Sequence, residues 1–99
     1  MATPVYMLYL AKSATEAWYQ LSKAEQDSLF SKSMEINTRV GATYHLACNS
    51  RWADEEISGW GVIEYPSMEA YQKKVEELEA LEWWRYFSGK TILGTKMAM

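Results

Sequence analysis

The chain has 99 residues, a formal net charge of −3 and 48% apolar residues, which fits one domain over 1–99 and is too apolar for a disordered chain. Its Lys and Arg form no basic stripe, so nucleic acid is excluded as a partner: phosphate binding needs clustered cations to displace counterions. No apolar run approaches the roughly 20 residues of a membrane span. Cys48, the only cysteine, allows no internal disulfide and no cysteine-based metal cluster, and together with a start that lacks a signal-peptide pattern it points to the cytoplasm.

Residues 4–11 read as a strand that is apolar in both alternating sets. Ser13 and Glu16 have the spacing of a capping box, in which a hydroxyl and a carboxylate satisfy the free amides of a helix start. A short helix with Ala17, Trp18 and Leu21 follows. Ser22 and Glu25 repeat the spacing, so a kink and a longer helix to about Thr38 are expected, with Leu29, Phe30, Met34, Ile36 and Val40 as its apolar stripe. Gly41 supplies the stop.

Residues 42–49 form a second predicted strand. Residues 50–58, polar apart from Trp52 and Ile57, read as a hairpin connection to a third strand over 59–65. Pro66 ends that strand and Ser67 caps the next helix, predicted over 68–82. Ala70, Tyr71, Val75, Leu78 and Leu81 lie on one side of it. Lys73, Lys74, Glu76, Glu77 and Glu79 are assigned to a solvated face. Residues 83–87 read as a helical aromatic knot closing toward Gly89, and residues 91–97 read as a last strand.

The order β-α-β-β-α-β is the split βαβ arrangement of the ferredoxin-like α+β fold. It predicts a four-stranded antiparallel sheet with both helices on one face. Strand parity then describes the uncovered face. Glu64 is unsuited to the sealed side, so Trp60, Val62 and Glu64 point outward. In the second strand Tyr44, Leu46 and Cys48 are placed under the helices, and Thr43, His45 and Asn49 on the open face. Cys48 then reads as an inert buried thiol. For the first strand both choices stay open: Met7 and Tyr9 point outward, or Tyr6 and Leu8 do.

Five Trp, seven Tyr and two Phe in 99 residues is a high share; Tyr and Trp each bring a polar end that needs a partner, so they read either as core filling or as an interface or ligand cavity besides the core. An open face carrying such residues exceeds what a soluble monomer tolerates, and a second identical sheet is the simplest cover. A homodimer enclosing a pocket for a hydrophobic small molecule is therefore expected.

The stretch Val62-Ile63-Glu64-Tyr65-Pro66-Ser67-Met68-Glu69-Ala70-Tyr71 resembles the dimeric α/β barrel superfamily, where a strand ends in an acid and an aromatic before the next helix. That superfamily includes antibiotic-biosynthesis monooxygenases, small polyketide cyclases and muconolactone isomerases. The segment Ala17-Trp18-Tyr19-Gln20-Leu21-Ser22-Lys23-Ala24-Glu25, with Trp84-Arg85-Tyr86-Phe87, is similar to darcynin-like members. The resemblance implies a dimeric α/β barrel and a small enzyme that needs no tightly bound cofactor. The implied substrate is an aromatic or polyketide-like molecule, converted by proton-transfer cyclisation or isomerisation. Cofactor-free monooxygenation is the alternative, and a non-enzymatic ligand-binding or stress-related dimer a further one. The Asn-Trp-His arrangement of the haem-degrading branch does not map onto this chain.

His45, the only histidine, is the candidate base, since its ordinary pKa lets it take and give a proton near neutrality. Glu64, diagonal from it on the same face, would orient the ring. A tyrosine hydroxyl, Tyr9 being the catalytic candidate, would hydrogen-bond an enolate. Tyr6, Met7, Asn49, Trp60, Val62, Trp84, Tyr86 and Phe87 are the candidate substrate contacts. One histidine and scattered acids give no metal-ligand spacing, so no metal site is expected.

Overall fold

The computed structural model describes residues 2–98. Its elements run β1 (Val5–Lys12), α1 (Glu16–Tyr19), α2 (Lys23–Arg39), β2 (Thr43–Asn49), β3 (Ile57–Tyr65), α3 (Met68–Ala80), α4 (Trp83–Tyr86) and β4 (Gly89–Gly94). All strand pairs are antiparallel and the sheet order is β2-β3-β1-β4. This is the ferredoxin-like topology expected from the sequence. The thinnest extent of the chain, 16 Å, holds one sheet and one helix layer. Packed layers lie about 10 Å apart, so the far face of the sheet is left open.

The second capping box forms as predicted: the Ser22 side chain accepts the Glu25 amide hydrogen, and the Glu25 carboxylate accepts that of Ser22. The first does not. Thr15 is the N-cap residue of α1 and makes no side-chain cap. Its hydroxyl donates instead to the Arg85 carbonyl at 2.8 Å, and its amide donates to the Tyr86 carbonyl. These bonds tie α1 to α4, joints 70 residues apart. The long-range partner wins because α1 is a single turn and has little helix to cap.

In α2 the buried residues are Leu29, Ser33, Ile36 and Asn37. Two members of the expected stripe lie on its flank: Phe30 is 46% exposed and Met34 57%. Phe30 nevertheless has work there, packing edge-on against Trp18 and Trp83 and tilted against Phe87. Gly41 sits at φ +85°, in the left-handed region where a side chain is strained, and ends the helix as expected. A second left-handed residue, Glu82 at φ 58°, turns the chain from α3 into α4.

β4 begins two residues earlier than predicted and ends at Gly94, opposite Tyr6. Past that point β1 has only Val5 left before Pro4, which has no amide hydrogen to donate, so the ladder stops.

The registers settle the faces. Tyr6, Leu8 and Leu10 lie opposite Glu64, Val62 and Trp60, and residues directly opposite share a face. Val5, Met7, Ile63 and Tyr65 are buried under the helices. The open face therefore takes Tyr6 and Leu8, while Met7 and Tyr9 belong to the helix side. In β2 the register shifts between Tyr44 and Leu46, a β-bulge that adds one residue and inverts the alternation after it. Tyr44 faces the helices, as predicted, and donor Asn37 reaches its hydroxyl at 2.8 Å. Leu46 and Cys48 instead lie opposite Val62 and Trp60, and Asn49 lies opposite Gly59. Leu46 and Cys48 thus move to the open face, Asn49 leaves it, and the placement of Cys48 under the helices does not hold.

Candidate functional site

The bulge in β2 sets His45 beside Glu64 on the open face. Its Nε2 lies 2.7 Å from Glu64 Oε1. An ionised carboxylate only accepts, so neutral His45 carries its proton on Nε2 and leaves Nδ1 free as an acceptor. The imidazole is half-exposed and the carboxylate less so. The Tyr6 ring lies 5.9 Å away, tilted by 32°. Beside this trio, Tyr6, Leu8, Val62 and Ile92 line a shallow apolar cavity of ≈ 580 Å³, bounded by Gly94 and Lys96. Tyr6 links the two: it lies beside His45, pairs with Glu64 across the strands and lines the greasy depression.

Of the residues singled out from the sequence, His45, Glu64, Tyr6, Val62 and Trp60 come together on this face. Met7 does not: it sits in the core with Ile63 and Tyr65. Tyr9 packs against the same core, and burial raises its phenol above the ordinary range. Its hydroxyl lodges against Gly61, where an added Cβ would come within 2.6 Å of it. Asn49 caps the β2–β3 connection, its side-chain oxygen accepting the Arg51 amide hydrogen and its carbonyl that of the Trp52 indole. Trp84, Tyr86 and Phe87 belong to the helix layer. Trp84 is 49% exposed, whereas Phe87 lies against Trp83 and Trp18, with ring centroids 4.5 and 4.8 Å away. Among the described residues, no group of three His, Cys, Asp or Glu is placed to hold a metal ion.

A second polar cluster, not expected from the sequence pattern, lies between sheet and helices. The Tyr65 hydroxyl is fully buried and donates to Asn37 Oδ1 at 2.8 Å. Asn37 Nδ2 in turn donates to the Tyr44 hydroxyl. Lys74 is 5% exposed, not solvated as expected. The signal was present in the spacing: Tyr71, Lys74, Leu78 and Leu81 recur at three and four residues, the inward stripe of α3.

Comparison with solved structures matches the whole domain. The chain is similar to RPA0582, a protein of unknown function from Rhodopseudomonas palustris, with a TM-score of 0.69 at 18% identity over 100% of this chain and 86% of that one. The methylated form of RPA0582 gives the same TM-score at 16% identity, covering 99% and 84%. SnoaB, a cofactor-independent oxygenase from Streptomyces nogalater, matches with a TM-score of 0.55 at 12% identity, covering 99% and 97%. These likenesses show the ferredoxin-like α+β fold. No family model and no curated protein matches the sequence. No helix among the described residues is long and apolar enough to cross a membrane.

Proposed function

We propose that two copies of this chain pair through their open sheet faces, and that the His45–Glu64 pair performs proton transfer on an apolar aromatic or polyketide-like substrate held between them. The observation that carries this reading is the hydrogen-bonded imidazole–carboxylate pair beside Tyr6, which itself lines the apolar cavity with Leu8, Val62 and Ile92. An uncovered sheet with Leu8, Leu46, Val62 and Ile92 on it is the kind of surface a second copy buries.

In the reaction, His45 Nδ1 removes a proton from carbon next to a carbonyl, or from a phenol. Glu64 stabilises the imidazolium that results, as a carboxylate behind a catalytic histidine does. The Tyr6 hydroxyl, nearest of the tyrosines to His45 on this face, donates to the enolate oxygen. The enolate carbon then attacks a second carbonyl of the same molecule, and the alkoxide formed takes the proton back from His45. No redox equivalents are needed.

A second reading is favoured by the likeness to SnoaB. The same carbanion, formed at a CH2 group, can react with dioxygen. His45 returns its proton to the peroxide, and loss of water leaves a carbonyl. One oxygen atom ends in the product and one in water, so no external reductant is required.

The test is turnover of hydroxylated polycyclic ketones and 1,3-dicarbonyl polyketide mimics, with oxygen uptake followed in parallel. Cyclisation without oxygen uptake supports the first reading, and uptake matched to product supports the second. Activity that survives His45→Ala undiminished, or no activity on any of these compounds, overturns both.

A further inference from the structure

Lys74 is placed where a lysine is costly. Its side chain runs inward from α3, and its ammonium nitrogen lies 3.4 Å from the Met7 sulfur, a weak acceptor. The Tyr71 and Tyr65 rings flank it at 4.5 and 5.2 Å. The Tyr65 hydroxyl is committed to Asn37. Among the described residues no carboxylate pairs with Lys74; the nearby acid of α3, Glu77, pairs with Arg39 of α2. The neighbour Lys73 is exposed, so the helix has a solvated position one residue away and still turns Lys74 inward.

Packing alone does not call for an amine here. A methionine would fill the same volume without the desolvation of a charge. Two ring faces and a thioether compensate part of that penalty, but they offer no full hydrogen-bond acceptor. A desolvated lysine among apolar and aromatic groups is the arrangement that activates an amine as a nucleophile.

We propose that Lys74 is a reactive amine that captures a small, flat aldehyde or ketone as an imine, independently of the His45 site. The nitrogen lone pair attacks the carbonyl carbon to form the C–N bond. The former carbonyl oxygen then leaves as water, carrying both amine hydrogens, and a C=N bond remains. Nothing is oxidised or reduced. The Tyr65 ring, which stays in place, selects a planar, aromatic or conjugated carbonyl compound. Tyr71 is partly exposed and three residues away on the same helix, so its ring is the one that turns aside to admit the compound.

Burial lowers the Lys74 pKa from 10.5 to about 8. At pH near 7.5 about a quarter of Lys74 is then neutral, against roughly one in a thousand of an ordinary lysine. The gain in neutral amine outweighs the loss of basicity, so capture should be at least roughly tenfold faster than at a surface lysine.

The experiment uses the full chain, benzaldehyde as probe and sodium cyanoborohydride to reduce the imine, with each modified lysine located by peptide fragmentation. Lys74 is expected to be labelled roughly tenfold or more faster than Lys73 at pH near 7.5, with the rate levelling off above a pH of about 8. Tyr71→Ala is run beside the native chain so that restricted access does not decide the outcome, and should accelerate labelling of Lys74 alone. Lys74→Met should stay folded and lose the fast adduct. If Lys74 labels no faster than Lys73 in both the native chain and Tyr71→Ala, or if Lys74→Met keeps the fast adduct, the proposal is overturned.

Discussion

His45 Nε2 meets Glu64 Oε1 at 2.7 Å on a stretch where β2 carries one residue more than β3. A regular ladder would have continued the alternation, with Leu46 under the helices. The inserted residue instead brings His45 and Leu46 to the same face in succession, the acid–base pair next to an apolar contact. Bulges commonly re-aim a side chain in this way beside functional sites.

Leu46→Glu therefore separates folding from assembly. Leu46 is 49% exposed, so the isolated fold should lose less than about 1 kcal/mol. A pair of copies meeting through the open face would be forced to bury two carboxylates near their axis, at a cost of several kcal/mol. Sedimentation should show a dimer for the native chain and a monomer for the variant, with similar circular dichroism. A collapse of the fold would mean that Leu46 is a core residue and that the bulge is misplaced.

How much of this was legible beforehand follows from particular residues. Glu64 fixed the parity of β3, because a carboxylate belongs on the wet side, and Trp60 and Val62 followed from it. Tyr44 and His45 took their predicted faces. Past the bulge the sequence Leu-Ala-Cys-Asn gives no sign of which residue is extra, since it reads acceptably in either phase; Leu46, Cys48 and Asn49 were placed on the wrong faces for that reason. In β1 both sets are apolar, and only the register against β3 chooses Tyr6 over Met7 and Tyr9. Lys74 was hidden by its own charge: its spacing to Tyr71 and Leu78 was visible, but Lys73, Glu76 and Glu77 around it suggested a solvated face. The aromatic residues 83–87 were legible as a helical knot, but not their packing partners Trp18 and Phe30, far away in sequence.

Gly61 is fixed by close approach. An added Cβ there would stand 2.4 Å from the Leu46 carbonyl oxygen and 2.6 Å from the Tyr9 hydroxyl. The tyrosine could swing away, but the carbonyl is backbone in the neighbouring strand. Gly61→Ala should cost about 1–3 kcal/mol, the range for overpacking a well-filled site. A urea unfolding midpoint unchanged from the native chain would contradict this contact.

The chain of bonds from Tyr65 through Asn37 to Tyr44, buried at its Tyr65 end, gives a sharper energetic test. Tyr65→Phe removes the donor to Asn37 Oδ1 and keeps the ring that packs against Tyr71. The orphaned oxygen should cost about 1–3 kcal/mol. Asn37→Ala alone strands the Tyr65 hydroxyl, so the double variant should lose less than the two single losses added together. Strict additivity in denaturant unfolding would show that the two side chains do not interact.

Lys74 makes stability depend on pH in a direction opposite to that of a paired lysine. Its folded pKa, about 8, lies below its ordinary value of 10.5, with burial as the cause. Below about pH 8 the amine is protonated in both states, and the folded chain bears the full desolvation penalty. Between about 8 and 10.5 the unfolded chain still binds the proton while the native chain has released it, so stability rises with pH. The groups facing the amine are Met7 from β1, Tyr65 from β3 and Tyr71 from its own helix. Burial raises both of those phenols, and Tyr9 as well. They resist ionisation in the folded state, and stability should therefore fall again above about pH 10, where unfolded tyrosines ionise. The expected profile is a rise worth about 1–2 kcal/mol from pH near 7.5 to a maximum near 9.5, then a decline. Lys74→Met should be the more stable chain at neutral pH and should lose the rise while keeping the decline. Urea midpoints measured across that range check both limbs, and a native profile that falls steadily from pH near 7.5 would mean that the amine is paired or solvated.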